Sequence, residues 1–572
     1  MTKRFRFFLC AIIGLGALGV GLMRADRSST AAESAPASTA VPTRVVPTSA
    51  VTDADIVNFI NEQIRAGWKT KGIAASPAAT DNEWCRRAYL DLLGRIPTVD
   101  ELQAYLASGG PDKRAKLIDK LMGEGTDKNA EAYLEEYARN WSTIYSILLV
   151  GRPPAQRANR EMVNREGMNA YLRGSFLRNK PYDKIVEELV SARGTTRPGS
   201  PQFNGATNFL VNKLQENATE ATARTAKYFL GIQVQCTQCH NHPFNDWKQD
   251  QFWGLNAFFR QTRAVSSRMG QDVDYVTLDN EDFPGEGDNP KEAEIYYELR
   301  NGVLQVAYPT FVDGTKINAS GYVNEVDRRT ELAKLIIKHE NFGKAAVNRI
   351  WGHFFGYGFT KPVDDMGPHN PVSHPELLER LGKEFASRGH DLKKLIKWVM
   401  LSEAYSLSSK THARNKKDDP SLGETPMFSH FYLRQMQAEE LYESLLAATK
   451  AGTGSYEEQL EKKSQWLRQF TITFGNDEGD EATTFDGTIP QVLMLMNGGL
   501  TKDALSGQFM QQLAGGGGDL RAKVEYLYLA TVSRKPTSQE LALISAARGN
   551  PGEVLQDVFW ALLNSNEFVF NH

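Results

Sequence analysis

Cysteine is scarce in this chain of 572 residues, which has four, at positions 10, 85, 236 and 239. So few thiols exclude the disulfide framework on which small exported domains depend. The composition, 41% hydrophobic and 24% charged, is ordinary for globular proteins, and the length suffices for two or more hydrophobic cores. We therefore expect packing to stabilise the fold.

An excess of charge of either sign is also lacking. The chain has 66 lysine and arginine residues against 69 aspartate and glutamate residues, which gives a formal net charge of -3 at pH 7. This balance creates no global field that would attract nucleic acid or an anionic membrane surface. We therefore expect no nucleic-acid partner.

Signatures of familiar enzymes are missing as well. The sequence has no Gly-x-Ser-x-Gly, no His-Glu-x-x-His and no Rossmann glycine pattern, and the glycine-rich segment 514–518 lacks the Lys-Ser/Thr ending of a phosphate loop. The sequence therefore supports neither a hydrolase nor a dehydrogenase. Whether the protein is an enzyme stays open.

One long uncharged apolar run occurs at the start of the chain. Residues 7–23 follow Lys3, Arg4 and Arg6, a pattern typical of an export signal. We predict that residues 1–25 are either a cleaved signal peptide or a retained N-terminal anchor. The protein is then exported to the periplasm or the cell surface, and only this segment contacts a membrane.

The rest of the chain divides into segments that differ in amino-acid composition and in hydrophobic periodicity. Residues 26–52 are rich in Ser, Thr, Ala and Pro and predict a flexible linker. Helical periodicity follows over residues 53–262 and 327–572, whereas residues 263–326 mix Gly, Asp and Pro with short β-branched and aromatic runs. The predicted fold is mainly α, with two packed helical domains joined by a small strand-bearing connector.

Two sequence patterns predict helix starts. Thr98 and Glu101 form a capping box behind Pro97, and Ser373-His374-Pro375-Glu376 is expected to form another. The apolar run Trp351–Phe359 is too hydrophobic for a water-facing surface. We therefore expect part of it to line the contact between the two domains, near the segment 236–242.

One internal repeat is visible, and we interpret it as a recurrent helical hairpin rather than a duplicated binding element. Its members recur at identical spacing, as Tyr89-Leu90, Arg95, Pro97-Thr98 and Glu101-Leu102 and then as Tyr528-Leu529, Arg534, Pro536-Thr537 and Glu540-Leu541.

The sharpest chemical feature is a Cys-x-x-Cys-His motif formed by Cys236, Cys239 and His240. This pattern is the attachment signature of c-type haem, because two thiols one turn apart can add to the two vinyl groups while the adjacent imidazole reaches the iron. Export is consistent with it, because such haem is attached outside the cytoplasm. Four residues were considered for the sixth iron ligand: Met269, His353, Met366 and His369.

Other interpretations of the motif stay open. Together with His242, the residues Cys236, Cys239 and His240 offer the four ligands that a tetrahedral zinc site requires. A disulfide between the two cysteines is another alternative, and a packed helix end that binds nothing is the last.

A second concentration of polar side chains follows the Trp351–Phe359 run. We interpret its members as structural polar residues at a helix end, in a turn and in the first turn of a helix, rather than as a catalytic cluster. Its members are His353, Asp364, Asp365, His369 and His374.

The first half of the chain resembles the planctomycete cytochrome-like domain of unknown function, DUF1549. The similarity covers about residues 53–262 and rests on the segments Cys85–Thr98, Tyr137–Trp141, Asn179–Asp183 and Phe229–Phe244.

The second half resembles the planctomycete-specific domain of unknown function, DUF1553, that usually follows it. The matching segments are Asp327–Arg329, Val347–Gly356, Ser373–Leu378, Leu401–Tyr405 and Leu563–Phe568.

The resemblance brings no established activity with it, and its cytochrome label reflects the Cys-x-x-Cys-His pattern. Two functional hypotheses follow. The first is an exported redox protein that carries one covalent haem on Cys236, Cys239 and His240 and meets a redox or other protein partner. The second is a non-catalytic structural or interaction protein whose Cys/His residues hold zinc or no cofactor.

Overall fold

Helix formation begins where the sequence pattern predicts it, at Asp53, in the computed structural model. The structure describes residues 51–125, 128–152, 161–243, 245–450, 462–467 and 507–572. The predicted signal segment and almost all of the predicted linker lie outside the described residues. Within the described ranges, no helix is long and apolar enough to cross a membrane.

The first helical region contains α1 (Asp53–Lys71), α2 (Asp81–Leu93), α3 (Val99–Ala107), α4 (Lys113–Leu121), α5 (Ala130–Val150), α6 (Arg165–Leu177), α7 (Tyr182–Ser191), α8 (Gln215–Leu230) and α9 (Gln249–Asn256). The predicted capping box of α3 is present, since Thr98 Oγ1 accepts from the Glu101 amide and Glu101 Oε2 accepts from the Thr98 amide (2.7 Å).

The second helical region contains α10 (Arg328–Lys338), α11 (Glu340–Phe355), α12 (Pro375–Ser387), α13 (Leu392–Met400), α14 (Ala438–Thr449), α15 (Gln508–Gly515), α16 (Leu520–Val532), α17 (Ser538–Ser545), α18 (Pro551–Leu563) and α19 (Asn566–Val569). Residues 462–467 are also helical.

The start of α12 corrects one expectation. The helix begins at Pro375, but His374 rather than Ser373 is its N-cap residue, and no side chain caps its first turn. The imidazole of His374 is instead buried against the rings of Phe359 and Phe428. Packing of an aromatic ring has replaced the predicted capping box.

Short antiparallel sheets lie between and beside the helices. The strands are β1 (Gly194–Thr195), β2 (Thr262–Met269), β3 (Asp272–Asn280), β4 (Ile295–Glu298), β5 (Leu304–Ala307), β6 (Arg434–Gln435) and β7 (Phe570–Asn571), and they pair as β1-β3-β2, β4-β5 and β6-β7. The two longer hairpins occupy the predicted connector. The structure thus confirms the predicted fold class, with helical regions on both sides of a small strand-bearing segment.

The two helical regions share their hydrophobic interior. Buried side chains from both of them form one continuous cluster, and a second cluster joins Leu90 and Ile96 to the C-terminal helices. Within the Trp351–Phe359 run, the rings of His353 and Phe354 lie 5.1 and 6.2 Å from the ring of Trp141. Part of this run therefore lines the contact between the regions, as expected.

The internal repeat has a structural role in its first copy. Arg95 donates through Nη1 and Nη2 to the two carboxylate oxygens of Glu101 (2.8 and 2.9 Å) and through Nε to Glu136 (2.6 Å). Its guanidinium also lies over the ring of Tyr89 (5.4 Å). These contacts clamp the turn between α2 and α3.

The second copy repeats the same contacts. Arg534 donates through Nη1 and Nη2 to Glu540 (both 2.9 Å), through Nε to Glu567 (2.6 Å), and lies 5.4 Å from the ring centre of Tyr528. Thr537 and Glu540 form a capping box at the start of α17. The repeat is therefore a duplicated helical hairpin with an arginine clamp.

Replacing Glu101 by glutamine is expected to lower the free energy of unfolding by about 2 kcal/mol, because its carboxylate also accepts from the Tyr133 hydroxyl (3.0 Å) and is largely buried. Glu540→Gln is the matched control in the other copy, where the ion pair is about one-third exposed, and we expect a loss of about 1 kcal/mol or less. Urea denaturation of both variants measures the difference. Equal losses would contradict this account of burial.

Candidate functional site

The Cys-x-x-Cys segment follows the end of α8. That helix ends at Gly231, which adopts the left-handed conformation (φ 62°), and residues Gln235–Gln238 then form a 3₁₀ turn. Cys236 lies in this turn and Cys239 is the residue that follows it. Because side chains three residues apart eclipse each other in 3₁₀ geometry, we infer that the two thiols point to the same side. Both thiols are exposed and neither forms a disulfide.

Hydrogen bonds hold this turn without using the thiols. The buried Thr237 lies between the cysteines and its hydroxyl donates to the Val234 carbonyl (2.6 Å). From α9, Gln249 Nε2 and Trp253 Nε1 both donate to the Gln238 carbonyl (3.2 Å each). The backbone of the motif is therefore fixed while its sulfur atoms face solvent.

The imidazole of His240 has a defined tautomer. Its Nδ1 lies 2.7 Å from the Asn241 carbonyl oxygen, which can only accept a hydrogen bond, so Nδ1 carries the proton. Nε2 is then the nitrogen with the free lone pair. Histidines that bind metals typically donate their other ring N–H to a carbonyl or carboxylate in this way.

Part of the second polar concentration lies beside the motif. The rings of His242 and His369 are 5.5 Å apart, and His369 Nε2 is 2.9 Å from Asp365 Oδ2. Partial burial and the nearby His369 and His240 lower the pKa of His242, while Asp365 opposes this shift. The structure therefore groups His240, His242, Asp365 and His369, a group that the sequence did not predict.

The other members of that concentration lie elsewhere. Asp364 pairs with Lys227 (3.2 Å) and accepts from Gln233 Nε2 (3.1 Å) beside the end of α8. His374 is buried and His353 is half-buried, and both lie in aromatic surroundings. These two histidines are core residues, which agrees with the structural interpretation of them.

The four residues considered as a sixth haem ligand differ in position. Met269 is at the end of β2 and 72% exposed, and His353 is half-buried against the ring of Trp141. Met366 lies against Gly231, where an added Cβ would come within 2.6 Å of its Cε. His369, through its contact with His242, lies beside the motif.

The two cofactors considered make different demands on this site. Over the part of the chain that the structure describes, no group of three or more His, Cys, Asp or Glu side chains is arranged to hold a metal ion. Covalent haem needs two thiols on one side of a turn and an imidazole with a free Nε2, and the motif has both. The donor set therefore fits haem attachment.

Comparison with known families agrees with the division of the fold. Residues 59–264 match PSCyt2, a protein of unknown function (DUF1549), and residues 328–547 match PSD1, a protein of unknown function (DUF1553). The chain thus contains a PSCyt2 domain followed by a PSD1 domain. The PSCyt2 domain contains the motif and the PSD1 domain contributes Asp365 and His369, so the candidate site lies where the two domains meet. No curated protein and no solved structure matches the chain.

Proposed function

We propose that this PSCyt2–PSD1 protein is an exported redox protein that carries one c-type haem on Cys236 and Cys239, with His240 as the axial ligand. The observation that carries the proposal is a pair of exposed thiols, one in a 3₁₀ turn and one directly after it, next to an imidazole whose Nδ1 is already bonded. Bound haem would supply one-electron transfer.

The residues of the chain would prepare this site in separate ways. Thr237, Gln249 and Trp253 fix the backbone of the turn, so that the two thiols keep their common direction. The Asn241 carbonyl orients the His240 ring and increases the basicity of its Nε2. Exposure of both thiols puts the group near the protein surface, where a redox partner can reach it.

Covalent haem is the direct test. The full chain, produced in a host with haem-attachment machinery, is expected to hold one haem that survives denaturation and shows Soret and α bands. The double variant Cys236→Ser/Cys239→Ser is expected to lose it completely. Cys85→Ala is the control, because it removes a buried thiol outside the motif. The soluble protein obtained from this variant is expected to carry haem. Unmutated protein without covalent haem would refute the proposal.

We propose as the second candidate a structural site in which zinc links the motif to the PSD1 domain. The contact between His242 and His369 favours it, because that contact joins the two domains. Zinc would require these side chains to rearrange, since among the described residues no group of three or more is arranged to hold a metal ion. Cys236→Ser and His242→Ala are then expected to release the metal and lower the thermal stability, since metal binding is coupled to folding. Elemental analysis of the unmutated protein decides this, and a metal-free result would exclude it.

A further inference from the structure

The hairpin β4–β5 has an exposed apolar face. Neighbouring residues of a strand point to opposite sides, and here Ile295, Tyr297 and Ala307 face inward and are buried. The outer side presents four large apolar side chains that we name the hairpin patch: Tyr296, Leu304, Val306 and Tyr308. Their exposed fractions are 39, 65, 48 and 39%, in that order.

The hairpin patch has an acidic rim. Residues 279–298 contain eight aspartate and glutamate residues against one lysine. Tyr296 donates through its hydroxyl to Glu294 (3.2 Å) and through its amide to Glu286. Partial burial and the neighbouring Glu294 raise the pKa of both Tyr296 and Tyr308. The apolar face is therefore bordered by the carboxylates of Glu294 and Glu298, of which Glu298 lies directly opposite Leu304, whereas Glu286 is paired with Arg260 (2.5 Å).

The patch is connected to the Cys-x-x-Cys turn through one side chain. Gln249 Nε2 donates both to the Gln238 carbonyl of the turn (3.2 Å) and to the Glu298 carbonyl at the end of β4 (2.9 Å). On the inner side of the hairpin, Tyr297 stacks on Trp253 (5.9 Å), whose Nε1 also donates to the Gln238 carbonyl. Hairpin and motif thus pack on the same helix, α9.

We propose that the hairpin patch is the docking surface for a basic protein partner that exchanges electrons with the adjacent motif, an inference that rests on the proposed function. Exposed apolar surface of this kind marks interaction sites. The acidic rim repels nucleic acid and anionic membranes and selects a partner whose apolar contact surface is ringed by lysine and arginine. Helix α9, which contacts both, fixes the position of the hairpin patch relative to the motif.

Binding of a small, strongly basic cytochrome c is the test. The full chain, and separately its Cys236→Ser/Cys239→Ser variant, are titrated with this probe by calorimetry at low salt. Each is expected to bind with an affinity that falls at least tenfold when the ionic strength rises to physiological values. Acetylation of the probe's lysines, which removes their charge, is expected to abolish binding.

Substitutions that introduce a positive charge into the patch locate the surface. Leu304→Lys and Val306→Lys are each expected to weaken binding at least tenfold. Leu543→Lys is the matched control, since this leucine is 74% exposed on α17. Absence of probe binding at low salt, an equal effect of Leu543→Lys, or self-association of the chain through the patch would overturn the proposal. The two proposals fail separately. Unmutated protein that binds the probe but carries no haem would refute only the redox function, and unmutated protein that carries haem but does not bind the probe would refute only the docking surface.

Discussion

Replacing Asp91 by alanine is expected to lower the free energy of unfolding by about 3–5 kcal/mol, the typical result of breaking a buried ion pair. The Asp91 carboxylate is fully buried and accepts from Arg434 Nη2 (2.6 Å), the Tyr405 hydroxyl (2.7 Å) and Asn571 Nδ2 (2.8 Å). Its removal leaves three buried donors with one acceptor fewer. Chemical denaturation at pH 7.5 measures the loss.

The position of Asp91 explains why the loss is expected to affect the whole fold. The residue belongs to α2 in the PSCyt2 domain, Arg434 to β6, and Asn571 to the C-terminal strand β7 that pairs with β6. The Asp91 carboxylate thus connects α2 in the first helical region to the strands β6 and β7 of the second. We expect Asp91→Ala to keep a single unfolding transition and to shift it to lower denaturant concentration.

A surface pair supplies the control. Glu187 accepts from Lys184 one turn away (2.7 Å), and the lysine side chain is 55% exposed. Glu187→Gln is expected to change the free energy of unfolding by less than about 1 kcal/mol. A similarly small change for Asp91→Ala would show that the buried network does not stabilise the fold.

The sequence predicted those parts of the fold that depend on local patterns. Helical periodicity located the two helical regions, and the Gly- and Asp-rich texture of residues 263–326 located the longer strands. The repeated Arg and Glu spacing predicted two similar hairpins, and both form the same clamp. In each case the interacting residues are close in sequence, so propensity and spacing are sufficient.

Buried arginines show where such reasoning fails. Arg328 follows an aspartate and would ordinarily be taken for a solvated charge, yet it is fully buried. Its guanidinium donates to four backbone carbonyls, those of Ala257, Ala293, Ala319 and Ser320. Because every residue type carries a backbone carbonyl, no sequence pattern predicts which carbonyls accept hydrogen bonds from this arginine.

The candidate site also has one part that the sequence predicts and one part that depends on tertiary contacts. The motif itself, with Cys236, Cys239 and His240, is read directly from the sequence. The approach of Asp365 and His369 to His242 is a tertiary contact between the two domains. The sequence offered His369 only as one of four possible sixth haem ligands and could not choose among them. Only the packing of the end of α8 against the segment after α11 brings them together.

The free energy of unfolding is expected to fall as the pH falls from about 6.5 towards 4, because His353 and His374, which pack against aromatic rings, are neutral in the folded state. Burial lowers the pKa of His353 to about 3, with a smaller contribution from Arg434, and lowers that of His374 to about 4. An unfolded histidine has a pKa of about 6.5. In this range the unfolded chain binds protons that the folded chain does not, so acid favours unfolding, on the order of 3 kcal/mol for each residue.

Denaturation series between pH 7.5 and 5 on His353→Leu and His374→Leu test this expectation. Each variant is expected to show a shallower fall in stability with decreasing pH than the unmutated chain. Asp91 has the opposite effect on stability, because burial raises its pKa to about 6 and the folded state therefore binds a proton as the pH falls. For this reason the quantity to compare is the difference in pH slope between each variant and the unmutated chain. Leu332→Ala, at a fully buried site without a titratable group, lowers stability without changing the slope. If both histidine variants keep the slope of the unmutated chain, neutral burial of these rings does not govern the acid sensitivity.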